Sequence, residues 1–438
     1  MTKKLTILSL TLITVGSVDS VRNLSAAALV GPNLFFYFGL ALLFFLLPCA
    51  IISSWFSHQS LEGIYGWVKK SLGKNVGFIA VWFQWMQNLL LYPTFLSFIA
   101  GTFLYCINPL LIEQKGLLFI LINALIWSLT WVNVKGIGLS HRLTIFCSLF
   151  GLIIPFILIL LIGLVWFIAH PQSIERLPTN NQEGLASLTA IILSFCGIEV
   201  AAVHMQDSKN GAYPRAVALS VLIIFSTMLF GSLTLALLLS PQQLNFISGI
   251  PELFQLFFSQ IKIGEISFVI NGLIVIGCIG CANSWLISPL KGLLFAGNEA
   301  NELKIKNTKK TTTKLLLIQA SGVSLLSTLF LLLPSLNSSY WIMITLATQM
   351  YLLMYLLMFL GAIRLAWIER NTSNWFILLV SAMGLVGISI AFIASFTLPT
   401  SLQYSSQRYY VLFLVVSLLL MIFASSLGKN IMCKESSA

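Results

Sequence analysis

Apolar runs of roughly twenty residues recur from one end of this chain to the other, and each is long enough to cross a hydrocarbon core of about 30 Å as a helix. No water reaches a backbone N–H or C=O in lipid, so a spanning segment must satisfy its own hydrogen bonds. Composition agrees with a membrane bundle: of 438 residues, 58% are hydrophobic and 8% are charged. The expected fold is an all-α integral membrane protein with twelve transmembrane helices. They are placed at Leu5–Val30, Asn33–Ser54, Val76–Cys106, Gly116–Val132, Leu143–Ala169, Leu185–Met205, Ala216–Leu239, Ile266–Phe295, Leu315–Pro334, Trp341–Leu365, Trp375–Phe396 and Val411–Ser426. Spans three and eight exceed the length needed to cross, which predicts strong tilt. Loops are short, except Gly297–Lys314 and Ser240–Glu265, whose Pro-Glu-Leu-Phe-Gln-Leu-Phe-Phe stretch can form interfacial helices.

Charge sets the orientation. Of the 24 Lys and Arg, nineteen fall in the loops and ends of one side, four (Lys115, Arg176, Lys262, Arg408) on the other, and Arg22 within a span. Lys and Arg accumulate on the cytoplasmic side, so both termini are expected there. The net charge of +11 then reflects topology and contact with anionic lipid. No basic-aromatic stripe accompanies it, and no nucleic-acid partner is expected. Met1-Thr2-Lys3-Lys4 before an apolar run resembles a signal peptide, with Ser25-Ala26-Ala27-Ala28 as a cleavage site. Arg22 interrupts that run and further spans follow at once, so an uncleaved first helix is the expectation. The cysteines are scattered, and Cys278 and Cys281 read as small packing residues on an apolar helix. His58, His141, His170 and His204 form no metal-ligand spacing, so no metal or other cofactor is expected.

Two spans carry charge where hydrocarbon should exclude it. The first reads Gly16-Ser17-Val18-Asp19-Ser20-Val21-Arg22-Asn23, and the sixth reads Cys196-Gly197-Ile198-Glu199. A charge at the bilayer centre costs about 2.5–3.5 kcal/mol even on lenient scales, so it must face protein, water or a ligand. Unwinding near Gly16–Asp19 and at Cys196–Ile198 would create helix ends at mid-membrane. The positive end of a second half can hold a substrate carboxylate, and the negative end of a first half an ammonium. Asp19 and Arg22, three apart, can instead pair as a structural ion pair on an unbroken helix. Glu199 has three readings: proton coupling, binding of a substrate amine, or a hydrogen-bonded acid tying span six to a neighbour. Further candidates for pocket or gate are Gln84, Gln87, Asn88 and Tyr92 in span three, with Pro93 as a kink. His204, Asn283, Ser284, Trp285 and Gln349 join them, with Tyr351 beside Gln349. Several of these amides can equally cross-link helices. Ser284 and Ser288, four apart, could also ligate a sodium ion.

The halves repeat. Spans one and six are interrupted at mid-length, and spans three and eight are long. Spans one to five run from inside to outside, and six to ten from outside to inside. This is a five-plus-five inverted repeat with broken helices one and six and two extra helices. The whole chain, residues 1–438, is one transporter-like domain: first repeat 5–169, second repeat 185–365, extra helices 375–426.

Particular segments resemble a known family. Leu193–His204, around Ser194-Phe195-Cys196-Gly197-Ile198-Glu199, resembles the broken sixth span of bacterial glutamate/γ-aminobutyrate antiporters of the amino acid–polyamine–organocation superfamily. Val21-Arg22-Asn23-Leu24 is similar to a first-span signature there. Glu62-Gly63-Ile64-Tyr65-Gly66-Trp67-Val68 looks like its cytoplasmic loop, Tyr92–Ala100 like its third span, and Asn283–Gly292 like its eighth. The likeness covers most of the chain. It implies exchange of glutamate, γ-aminobutyrate or other amino acids by alternating access, in a bacterial cytoplasmic (inner) membrane, with amino acids, the bilayer and protons as partners. A monomer or a homodimer would serve. Three departures stand out: Asp19 implies a substrate of different net charge, the glycine-rich first-span motif is reduced to Gly16, and the chain ends at Ala438, too soon after span twelve for the pore plug of acid-resistance members. Proton-coupled uptake and a non-transporting sensor are the alternatives. A membrane enzyme would need a nucleophile with a base or metal ligands near one interface, and no such cluster is legible.

Overall fold

The computed structural model describes residues 5–60, 62–135, 153–171, 181–209, 211–300, 308–369, 374–399, 402 and 406–434. Among these the chain is helical throughout. Ten helices are long and apolar enough to cross a membrane, and Ile7–Val18 and Ile154–Ala169 are shorter apolar helices. The two short ones are the first half of span one and the described part of span five. The opening of span five, 143–152, lies outside the described residues. The other spans are Leu34–Ser57, Lys74–Ile107, Lys115–Lys135, Asn181–Phe195, Ala212–Leu238, Ile266–Ala300, Thr308–Ser327 with Leu329–Leu332, Leu336–Glu369, Asn374–Ala394 and Gln407–Lys434.

Spans ten and twelve are longer than the hydropathy runs, because polar residues at their ends continue the helix past the apolar stretch. Span three runs unbroken through Pro93. Span two is helical in three pieces, Leu34–Ala41, a π-turn over Leu42–Leu46, and Leu47–Ser57.

Packing shows the inverted repeat. Span one packs on span seven, and its counterpart span six packs on span two. Span three packs along span eight, and span four along span nine, each pair mapping onto itself when the repeats are exchanged. An amphipathic helix, Gly63–Leu72, joins spans two and three, and a second, Gly249–Gln260, joins spans seven and eight. The second is the interfacial helix expected between Ser240 and Glu265. On it, half-buried Glu252 accepts a hydrogen bond from Gln243 at 2.9 Å. Burial raises its carboxyl above the usual range, partly offset by that bond. Among the ten long helices span six is the most enclosed, with 94% of its apolar stretch buried, against 22% for span twelve. The most enclosed span is thus one of the two that carry the internal charge.

Spans two and eleven meet at a glycine. A Cβ on Gly387 would fall on the backbone carbonyl of Phe44, in the π-turn, which cannot swing aside as a side chain would. Gly387→Leu should therefore destabilise the bundle by about 1–3 kcal/mol, the usual cost of overpacking. Thermal unfolding in detergent checks this, with Gly272→Leu, where a Cβ meets nothing within 4 Å, as the control.

Candidate functional site

Both charged spans are broken, and the breaks touch. In span one the helix Ile7–Val18 stops at Asp19, whose backbone is extended (φ −69°, ψ 121°), as is that of Ser20 (φ −140°, ψ 112°). A single 3₁₀ turn, Val21–Asn23, then leads into Leu24–Ala28. The break lies beyond the glycine expected to cause it. Gly16 and Ser17 remain helical, and the Ser17 hydroxyl donates back to the Ile13 carbonyl at 2.8 Å. Glycine lowers helix stability without ending the helix. The helix ends where buried Asp19 reaches span seven, its Oδ2 lying 2.8 Å from the Thr227 hydroxyl.

Ending a helix frees the carbonyls of its last turn. Two of these are met from span eight: the Cys281 thiol donates to the Gly16 carbonyl at 3.2 Å, and the Trp285 indole N–H to the Ser17 carbonyl at 2.8 Å. Span six breaks at Cys196-Gly197-Ile198, the expected position, between the helix ending at Phe195 and a 3₁₀ segment Val200–Asp207. Gly197 has φ +105°, a conformation open to glycine and strained for other residues. Its N–H donates to the Tyr355 hydroxyl at 2.9 Å. A Cβ there would lie 3.3 Å from both the Trp285 ring and Val18, so the two breaks and span eight close on one point.

A small, partly open cleft lies between the breaks. Span one contributes Ser17, Val18, Ser20, Arg22 and Asn23, span three Gln87, Leu91 and Phe95, span six Leu193 and Cys196, span eight Trp285, and span ten Tyr351. Arg22 dominates its chemistry. The guanidinium is 2% exposed, donates to Ser20 (3.1 Å) and Thr94 (2.8 Å), and lies over the Phe95 ring at 3.6 Å. None of these partners carries negative charge. Among the described residues the salt bridge is Lys69–Glu62, at a loop, so the Asp19–Arg22 ion pair does not form. The unwound segment between them removes the helical spacing that pairing needs. Gln87 adds a second open demand: it is buried, it lines the cleft, and neither amide atom has a partner among the described residues.

Glu199 is met differently. Tyr351 and Tyr355 of span ten donate to its two oxygens at 2.7 and 2.5 Å, and the Gln84 amide of span three donates at 3.2 Å. Of its three readings, the geometry shows the tie between span six and its neighbours.

The other candidates separate by position. Asn88 donates to the Trp285 carbonyl at 2.9 Å and Tyr92 to the Ala282 carbonyl, so both fasten span three to span eight. Asn283 accepts from Asn133 of span four at 2.7 Å. Gln349 donates to Ser395 beside span eleven at 2.8 Å and does not line the cleft. Ile198 is fully buried within the span-six turn. The side chains of His204, Ser284 and Ser288 lie outside what the structure describes. The sequence reading missed Thr94, Phe95, Thr227 and Tyr355. Two tyrosines four apart in span ten were a usable signal, and one of the two threonines of span seven was not.

Two discontinuous helices meeting at a cleft within an inverted repeat define a secondary transporter. The amino acid permease family model matches residues 5–420, and the chain belongs to that family. It is 32% identical to an uncharacterized transporter of Legionella pneumophila, over 96% of this chain and 95% of that one. It is 25% identical to the glutamate/γ-aminobutyrate antiporter of Lactococcus lactis, over 95% and 88%. Its fold is similar to that of MhsT, solved in complex with L-phenylalanine, with a TM-score of 0.58, 15% identity, and coverage of 94% and 97%. The protein is thus a multi-pass membrane transporter of amino acids, not an enzyme.

Gly197→Ala should cost about 1–3 kcal/mol in backbone strain and push on Trp285, so transport should fall sharply while membrane insertion persists. Trp285→Phe should leave the Ser17 carbonyl unsatisfied at a similar cost of about 1–3 kcal/mol. Initial uptake rates normalised to the amount of protein in the membrane check both.

Proposed function

We propose that this protein is an antiporter of a bacterial cytoplasmic membrane that exchanges carboxylate-bearing amino acids through the cleft between spans one and six. The observation that carries this reading is Arg22, a buried guanidinium on the cleft wall with no carboxylate partner among the described residues. A buried cation without a counter-charge is costly, and a substrate carboxylate removes that cost while making charge-assisted hydrogen bonds. The unpartnered Gln87 amide can take a second polar group of the same molecule. The likeness to a glutamate/γ-aminobutyrate antiporter supports the same substrate class. Rocking of the repeats, 5–169 and 185–365, around this site would alternate its access, with 375–426 as added helices. Both termini lie on the cytoplasmic side by the lysine and arginine bias. The pathway is complete within one chain, so a monomer or a homodimer serves.

Proton-coupled uptake is the second reading, favoured by Asp19, a buried carboxyl with one unpartnered oxygen.

Purified protein in liposomes loaded with unlabelled glutamate, γ-aminobutyrate or neutral amino acids tests the proposal. Labelled glutamate should enter loaded liposomes and not empty ones. Arg22→Ala should weaken binding by about 2–3 kcal/mol, roughly 30- to 150-fold in affinity. Uptake into empty liposomes would favour the second reading, and wild-type affinity in Arg22→Ala would place the carboxylate elsewhere.

A further inference from the structure

Asp19 lies at the centre of the span-one break, yet it does not line the cleft; its neighbours Val18 and Ser20 do. Its carboxyl turns the other way, toward span seven. It is 1% exposed. Oδ2 lies 2.8 Å from the Thr227 hydroxyl, and Oδ1 has no hydrogen-bond partner among the described residues.

The charges around it were considered element by element. On its own span, Arg22 is committed to Ser20, Thr94 and the Phe95 ring. On span seven, Arg215 is exposed and Tyr213 is a buried phenol, both in the first turn of the helix and away from Thr227 at its middle. On span eight, the Cys281 thiol donates to the Gly16 carbonyl, and Cys278 stands one turn away. On span six, Glu199 is held by Tyr351, Tyr355 and Gln84. No cation among the described residues pairs with Asp19. An ionised carboxylate so placed would carry the full cost of burial.

Thr227 offers the alternative. Its hydroxyl oxygen is 2.8 Å from the Ile223 carbonyl and 3.1 Å from that of Ile224, as well as 2.8 Å from Asp19. A hydroxyl has one hydrogen and can also accept. With Asp19 protonated, the acid donates to Thr227 and Thr227 donates to the Ile223 carbonyl. With Asp19 ionised, the Thr227 hydrogen swings to the carboxylate. One rotation of one hydroxyl accommodates both forms.

We propose that Asp19 is a proton-binding site of the transport cycle. It holds a proton while packed on Thr227 and exchanges it with water when the span-one break turns the carboxyl toward the cleft. Arg22 sits three residues along the same unwound segment, so substrate and proton would load on one moving piece of backbone. This rests on the transport reading above and adds the proton to it.

The test uses the full chain in proteoliposomes with a pH-sensitive dye in the lumen. Amino acid flux and lumenal pH are read together, and infrared difference spectra of wild type and variants are read without substrate. In liposomes loaded with γ-aminobutyrate, wild type should acidify the lumen as glutamate enters in exchange, the proton travelling with the incoming anion. Asp19→Asn should lower the number of protons moved per amino acid at least tenfold. The spectra should show a protonated-carboxyl C=O band that is present in wild type, absent in Asp19→Asn and shifted in Thr227→Val. An unchanged proton ratio in Asp19→Asn, wild-type flux without proton movement, or absence of the band overturns the proposal. Wild-type flux that needs sodium, with the need lost in Asp19→Asn, overturns it in favour of a sodium ion. The infrared band is read whether or not any tested amino acid moves. Absence of flux with the band present would count against the antiporter reading alone.

Discussion

A helix broken inside hydrocarbon leaves backbone groups that no water can satisfy, and the rest of this site is organised around meeting that requirement. The carbonyls of Gly16 and Ser17 are met by Cys281 and Trp285 of span eight, and the amide of Gly197 by Tyr355 of span ten. The breaks are therefore wired to spans outside themselves. Any motion of spans one and six relative to spans eight and ten must exchange these hydrogen bonds for others. That makes the break a natural two-state element, because partial separation would leave buried polar groups unpaired.

The three ionisable groups at the breaks are accommodated in three ways. Glu199 is enclosed by two phenols and an amide and bridges three spans. Arg22 has neutral partners and one aromatic face, which leaves its charge uncompensated beside the cleft. Asp19 turns its back on the cleft and rests on Thr227. Had span one stayed helical, Asp19 and Arg22 would stand one turn apart and could neutralise each other. Unwinding separates them, and each finds neutral partners on other spans instead.

The fold was largely legible because a bilayer leaves few options. Hydropathy located the spans, and the length of spans three and eight and the interruptions in one and six exposed the repeat. Where the reading slipped, local propensity had been given too much weight. Unwinding was expected over Gly16–Asp19, and the helix stops at the far end of that range, at Asp19, where a long-range contact to span seven forms, and not at the glycine. Gln349, Asn283 and Tyr92 were fair candidates as polar residues in apolar spans. Each faces another helix, a property set by rotation about the helix axis and invisible to hydropathy.

By itself the sequence determined that this chain crosses a membrane many times and that charge inside spans one and six must be compensated at mid-depth. Both follow from the cost of polar and ionised groups in hydrocarbon, which acts on the chain whatever its neighbours. Only the tertiary structure decided how each charge is compensated. Whether Glu199 meets Tyr355, whether Arg22 meets Asp19, and which face of span three lines the cleft all depend on which helices lie side by side. Those contacts join residues far apart in the chain, 156 positions for Glu199 and Tyr355 and 208 for Asp19 and Thr227, and no local pattern in the chain encodes them.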